Sequence, residues 1–165
     1  MARIMLATLV AVACLTTSFV HIDAAEPDVP NQDIALSPEV SDLLRAEMRE
    51  LSAGMQGIPV SLANADWASI QATSSKMHAS YIMAQKLTAA QAQELEQVLP
   101  DGFKQLDADF HRRAEKLGRA AAAHDAEGVA FQYARLMESC ARCHSTYAKS
   151  RFPGFAPAAP EDHAH

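Results

Sequence analysis

The spacing of the apolar residues constrains this chain more than any other feature. Val40, Leu44, Met48, Leu51, Met55, Ile58 and Leu62 follow one another at steps of 4, 4, 3, 4, 3 and 4, which puts all seven on one face of an α-helix. Ser37-Pro38-Glu39 precedes this seam as a helix start, with a capping hydroxyl, proline at the first helical position and an acid next. Gly57 and Pro59 are expected to kink or break its end. A second seam runs through Trp67, Ile70, Ser74, Met77, Tyr81 and Ala84, with Asn64 as its cap. Leu87-Thr88 restarts a short piece through Leu99, with Thr88 as cap, and Pro100-Asp101-Gly102 is a break. A third seam carries Phe103, Leu106, Phe110, Ala114, Leu117 and Ala121. After a turn at His124-Asp125, with Asp125 as cap, the fourth carries Val129, Tyr133, Leu136, Cys140, Cys143 or His144, and Tyr147. Pro153-Gly154 stops it.

Four such segments joined by short turns predict an all-α protein, an antiparallel four-helix bundle. Composition agrees. Alanine is one residue in five, glycine occurs six times and aromatics are 6%, whereas a β-sandwich would use more Val, Thr, Tyr and turn residues. No segment has a period of two, and no glycine loop follows a strand, so dinucleotide-binding, P-loop and hydrolase folds have no basis here. The net charge of −6 argues against nucleic acid as a partner.

The first residues read as a targeting segment. Arg3 is followed by a charge-free, mostly apolar run from Ile4 to Val20 and then by His-Ile-Asp-Ala-Ala, the layout of a secretory signal peptide. Cleavage after Ala24 removes residues 1–24. An uncleaved anchor and a lipoprotein processed at Cys14 are the alternatives. Removal takes away Arg3 and Asp23, so the charge stays at −6. Residues 25–36 are polar with two prolines and read as a flexible leader, residues 37–152 as the bundle domain, and residues 153–165 as a disordered tail. No other segment is long and apolar enough to span a membrane, so the mature protein is expected to be soluble and periplasmic.

With Cys14 lost to cleavage, two cysteines remain. They stand in Cys140-Ala141-Arg142-Cys143-His144, the C-x-x-C-H haem-attachment pattern. Three residues apart on a helical turn, Cys140 and Cys143 share a side. Each thiol can add to one vinyl group of haem, while the adjacent His144 supplies a nitrogen to iron. Other readings of C-x-x-C are a thioredoxin-like redox pair, which belongs near a βαβ pattern, a structural zinc site, which brings a second ligand pair, and a plain disulfide.

A helical chain with a signal peptide and C-x-x-C-H near its C-terminus resembles the class II cytochromes c, which include the cytochromes c′ and their low-spin relatives. The resemblance covers roughly residues 38–152 and extends to Cys-His-x-x-aromatic, matched by His144 and Tyr147. It implies one covalent haem c on Cys140 and Cys143, with His144 as proximal iron ligand. The family often has arginine after that aromatic. This chain has Ala148, which leaves Lys149 or Arg151 to supply charge near a propionate.

In that family the first helix lines the distal side of the haem. Low-spin members place methionine there, and the cytochromes c′ place an apolar residue and leave iron open to nitric oxide or carbon monoxide. The alignment puts Met48 at this position, with Met55 two turns further along as the fallback. His78 and His111 are the other candidates, and core packing is the alternative for either methionine. The resemblance therefore implies a small electron carrier with His/Met ligation, and as the alternative a five-coordinate gas-binding protein. No acid/base pair or nucleophile constellation appears, so no enzyme activity is expected. The acidic balance predicts redox partners with a basic docking patch. Cytochromes of this class are often dimers through their first two helices, which leaves a homodimer open. Met77, Tyr81, Phe110, Phe131 and Tyr133 are candidates for the pocket wall, Trp67 for a core anchor and Phe152-Pro-Gly-Phe155 for a flap over the haem edge. Glu161 to His165 reads as a polar tail that could hold a metal weakly.

Overall fold

In the computed structural model, which describes residues 33–155, every regular element is helical. α1 spans Pro38–Ala63, α2 Trp67–Ala79, α3 Met83–Lys86, α4 Ala89–Val98, α5 Asp101–Ala122 and α6 Ala126–Tyr147, and a 3₁₀ turn follows at Pro153–Phe155. The signal peptide, most of the leader and the Glu161–His165 tail lie outside the described residues. No described helix is long and apolar enough to cross a membrane.

α1 packs on α2 and α6, and α5 packs on the same two helices. These contacts close a ring of four, as the seams predict. The register is antiparallel: Met77 at the end of α2 meets His111 in the middle of α5, and Phe103 at the start of α5 meets Tyr147 at the end of α6. Between α2 and α5 the chain makes an excursion through α3 and α4. α4 is the short piece expected from Leu87 to Leu99 with Thr88 as its cap, and the four-residue α3 is the departure.

Local chemistry explains most of the boundaries. Ser37 Oγ accepts from the Val40 N–H at 3.4 Å, Asp125 Oδ1 accepts from Gly128 at 2.9 Å, and Thr88 and Gln91 form a reciprocal capping box. Each satisfies a backbone donor that the first helical turn leaves free. Asn64 is not the cap of α2. It closes α1, and Asp66 caps α2 through Ser69 N–H at 3.1 Å. α1 also continues unbroken through Pro59. Ile58 and Leu62 stay on the seam, and Ile58 is 1% exposed, so packing outweighs the hydrogen bond that proline forgoes. The second seam ends early, because Ser80 turns the chain at φ 60 and separates Tyr81 and Ala84 from α2. Pro100 is the boundary of α5, and Gly102 lies inside its first turn. A Cβ there would stand 2.5 Å from the Tyr147 hydroxyl.

The core holds Ile58, Ile70, Met77, Leu117, Val129 and Leu136, all buried. Each contributes about 1.5–3 kcal/mol by leaving water. Trp67 and Tyr133 pack against this core from its edge.

Candidate cofactor site

α6 delivers the C-x-x-C-H turn. Its stripe buries Val129, Leu136 and Tyr147, and this fixes the rotation of the helix, so Cys140, Cys143 and His144 all come out half-buried. Both thiols are free. Burial pushes both up, and Cys143 reaches about 11 with the Asp107 carboxylate and Cys140 adding to the effect. They are therefore protonated thiols at neutral pH. A thioredoxin-type cysteine shows the opposite shift.

His144 is pushed below the usual histidine value by burial, which keeps its imidazole neutral and its lone pair available as a ligand. The chain then doubles back. Arg151 and Phe152 both donate to the Ala148 carbonyl at 3.0 Å, and the Phe152 ring lies on His144 with centroids 4.3 Å apart at 11°. Phe155 is 43% exposed.

An apolar cleft of about 260 Å³ opens between α1, the α3–α4 excursion and the start of α5. Leu44, Met48 and Leu51 form the α1 wall. Leu87, Leu95 and Leu99 come from the excursion, and Phe103 and Phe110 from α5. Cys140, Cys143 and His144 do not line this cleft; α5 links the two, because Asp107 borders the cleft and is the carboxylate that acts on Cys143. Phe103 lines the cleft and stands edge-on to Tyr147 at 5.4 Å.

The two candidate methionines separate here. Met48 lines the cleft and is 40% exposed. Met55 is 5% exposed, belongs to the core cluster and is absent from the cleft lining. The seam enters the sealed bundle between them. Of the histidines, His111 borders the cleft, with Nδ1 2.7 Å from the Met77 carbonyl and Nε2 3.6 Å from Asp107. Nδ1 is thus already engaged, and Nε2 lies within ion-pair reach of a carboxylate. His78 is exposed, does not line the cleft, and directs Nδ1 to the His111 carbonyl at 3.1 Å. Among the suggested wall residues, Phe110 lines the cleft, Met77 is core and Phe131 is 60% exposed.

One residue at the site escapes sequence reasoning. Glu47 is 4% exposed, and its carboxylate accepts from the N–H groups of Tyr81, Ile82 and Met83 at 2.9, 2.5 and 3.1 Å. Its partners lie 34 to 36 residues away, so no local pattern announces it.

The donor set fits a covalently held haem: two protonated thiols on one side of a helical turn and a neutral imidazole beside them on α6, with an apolar cleft walled by α1, the stretch from Ser80 to Leu99 and α5. No curated protein and no solved structure matches the chain. A family model, cytochrome C′, matches residues 39–148, which is 110 of the 165 residues. On that match the chain belongs to the cytochrome c′ family, and this implies a c-type haem protein.

Proposed function

We propose that the protein carries one haem c on Cys140 and Cys143, with His144 and Met48 as axial iron ligands, and passes single electrons between redox partners outside the cytoplasm. The observation that carries this reading is the placement of Met48 on the cleft wall while Met55 is sealed in the core. When bound, the group supplies reversible one-electron chemistry at iron.

The chain's own residues set the conditions. Cys140 and Cys143 present their thiols from one helix face, and Phe152 holds the His144 ring by stacking. Leu51, Leu95, Leu99 and Phe103 give the cleft an apolar wall, which together with a thioether ligand would favour the reduced state and raise the potential. The reading is electron carriage rather than turnover. The acidic balance of −6 would steer the protein to partners with a basic patch, and pairing of two copies through α1 and α2 is compatible with it.

The absorption spectrum of the reduced protein, with and without carbon monoxide, tests this reading. A low-spin spectrum and slow uptake of carbon monoxide are expected. Met48→Ala should turn the spectrum high-spin, lower the potential and speed uptake. A wild type that is already high-spin and binds carbon monoxide rapidly would overturn electron transfer in favour of gas binding. A low-spin spectrum that survives Met48→Ala would remove Met48 as the ligand.

A further inference from the structure

Glu47 lies one residue before Met48 on α1, and its carboxylate is buried. What it holds is the corner after α2. Ser80 turns the chain at φ 60, its hydroxyl accepts from Ala84 N–H at 3.3 Å, and Gln85 Nε2 returns to the Ser80 carbonyl at 3.2 Å. Inside this corner, three successive N–H groups point at Glu47. The same stretch supplies Ser80, Met83, Ala84 and Leu87 to the cleft. α3 has only four residues and no buried side chain. With so little apolar packing to fix it, the polar anchor sets its position.

We propose that Glu47 is a positioning residue of the cofactor cleft: it clamps the Ser80–Ala84 corner to the α1 turn that bears Met48, and so limits the entry of small diatomic ligands to the distal side. The inference rests on the haem reading above. A buried carboxylate is suited to the role because charge-assisted bonds to backbone N–H are stronger than neutral ones, and removing their acceptor leaves buried donors unmatched.

The test uses the holoprotein with Met48→Ala as its parent. The spectrum of that parent is read first: if it matches the wild type, the ligand reading fails before Glu47 is touched. Glu47→Ala and Glu47→Gln are then compared with the parent by amide hydrogen exchange and by the rate of carbon monoxide association. In Glu47→Ala, exchange at Tyr81, Ile82 and Met83 should accelerate about 10- to 100-fold, and carbon monoxide should bind several-fold faster. Glu47→Gln, which keeps one acceptor oxygen, should fall between. Faster exchange with an unchanged or slower association rate would make Glu47 a structural clamp only and overturn the proposal. Unchanged exchange would overturn it as well. If Glu47→Ala does not accumulate, Glu47→Gln against the parent gives the same readings.

Discussion

The two ends of the bundle are built on different terms. At one end, α1 turns into α2 and α5 turns into α6 through matching corners. Each passes one non-glycine residue through left-handed backbone, Ala65 at φ 53 and His124 at φ 55, and each ends on a capping aspartate. The corners touch, with Trp67 stacked on His124 at 5.2 Å and 12°. Beneath them Ile58, Ile70, Leu117 and Val129 are fully sealed. At the other end α2 stops short, and α4 is tied on by polar straps. Ser37 donates from its N–H and hydroxyl to Glu94 at 2.7 and 2.8 Å, and Lys104 donates to the Glu96 carbonyl and carboxylate at 2.9 and 2.7 Å. The leucines of that end line a cleft instead of filling it. The comparison teaches a division of labour: one end is sealed and supplies stability, and the other leaves an open apolar cleft, which the proposed function fills with haem.

Removing the means of holding that group should have the largest effect. Replacement of both Cys140 and Cys143 with alanine should abolish stable holoprotein, because the thioether bonds are lost while the cleft remains. In the wild type, acid–acetone extraction should leave the colour on the chain, and the mass of the mature protein should include the haem. Colour passing into the solvent phase would refute covalent attachment. Chain folding should suffer less than loading, since neither cysteine belongs to the sealed core.

The next effect separates the two ends by stability. Leu117→Ala, at a fully buried position, should cost about 2–5 kcal/mol in urea unfolding and leave the haem spectrum unchanged. Met55→Ala should behave in the same way. Leu95→Ala, on the wall of the cleft, should cost less than about 1.5 kcal/mol, since its side chain is only partly removed from water in the first place. It should shift the reduction potential instead. Equal stability losses at Leu117 and Leu95 would erase the distinction between packed end and open end.

This division also marks what a reader of the sequence can recover. The sealed end is legible because it rests on short-range rules. The seam Trp67–Ile70–Ser74–Met77 gives α2, and Asp125 announces its cap from the residues beside it. The C-x-x-C-H turn is equally legible, since its chemistry is contained in five residues. At the cleft end Thr88 and Pro100 announce the limits of α4, but the cleft itself is not legible. The steps that carry Met48 and Met55 are identical in kind, and only the early stop of α2 at Ser80 decides that one faces a cleft and the other a core. Pro59 misleads for a related reason: a local helix-breaking tendency yields to the burial of Ile58. Glu47 is invisible because its three donors lie more than thirty residues away. His111 is a ligand candidate in the sequence, and it takes a tertiary contact, the Met77 carbonyl, to engage its Nδ1.

His111 gives a smaller effect with a definite sign. The Asp107 carboxylate beside it raises its pKa above the usual histidine value, against the opposing effect of burial, and the Met77 carbonyl and Glu47 add to the rise. A histidine with a raised folded value stabilises the native state fully below the unfolded value of about 6.5, and the contribution is lost as pH rises through the folded value. Wild-type stability should therefore carry a component that declines on going from pH 6 to pH 8. Asp107→Asn should shrink that component and move the His111 titration, followed by NMR, to lower pH. A titration that does not move would show that Asp107 is not the partner that matters.

The smallest expected change tests the sealed end against itself. Ala65 and His124 occupy the same left-handed backbone in equivalent corners, and a non-glycine residue there carries strain of about 1–2 kcal/mol. Glycine removes that strain but gives the unfolded chain more freedom, which offsets about 0.4–1 kcal/mol of the gain. At Ala65, an exposed residue with a single methyl group, nothing else is lost, so Ala65→Gly should stabilise the protein by up to about 1 kcal/mol. At His124 the same substitution also discards the stack on Trp67, and aromatic pairs contribute about 0.5–1.5 kcal/mol. His124→Gly should therefore be neutral or destabilising. The difference between the two variants in urea midpoints isolates what the stack contributes where the two corners meet. If both variants stabilise equally, the Trp67–His124 contact contributes nothing, and the corners act independently.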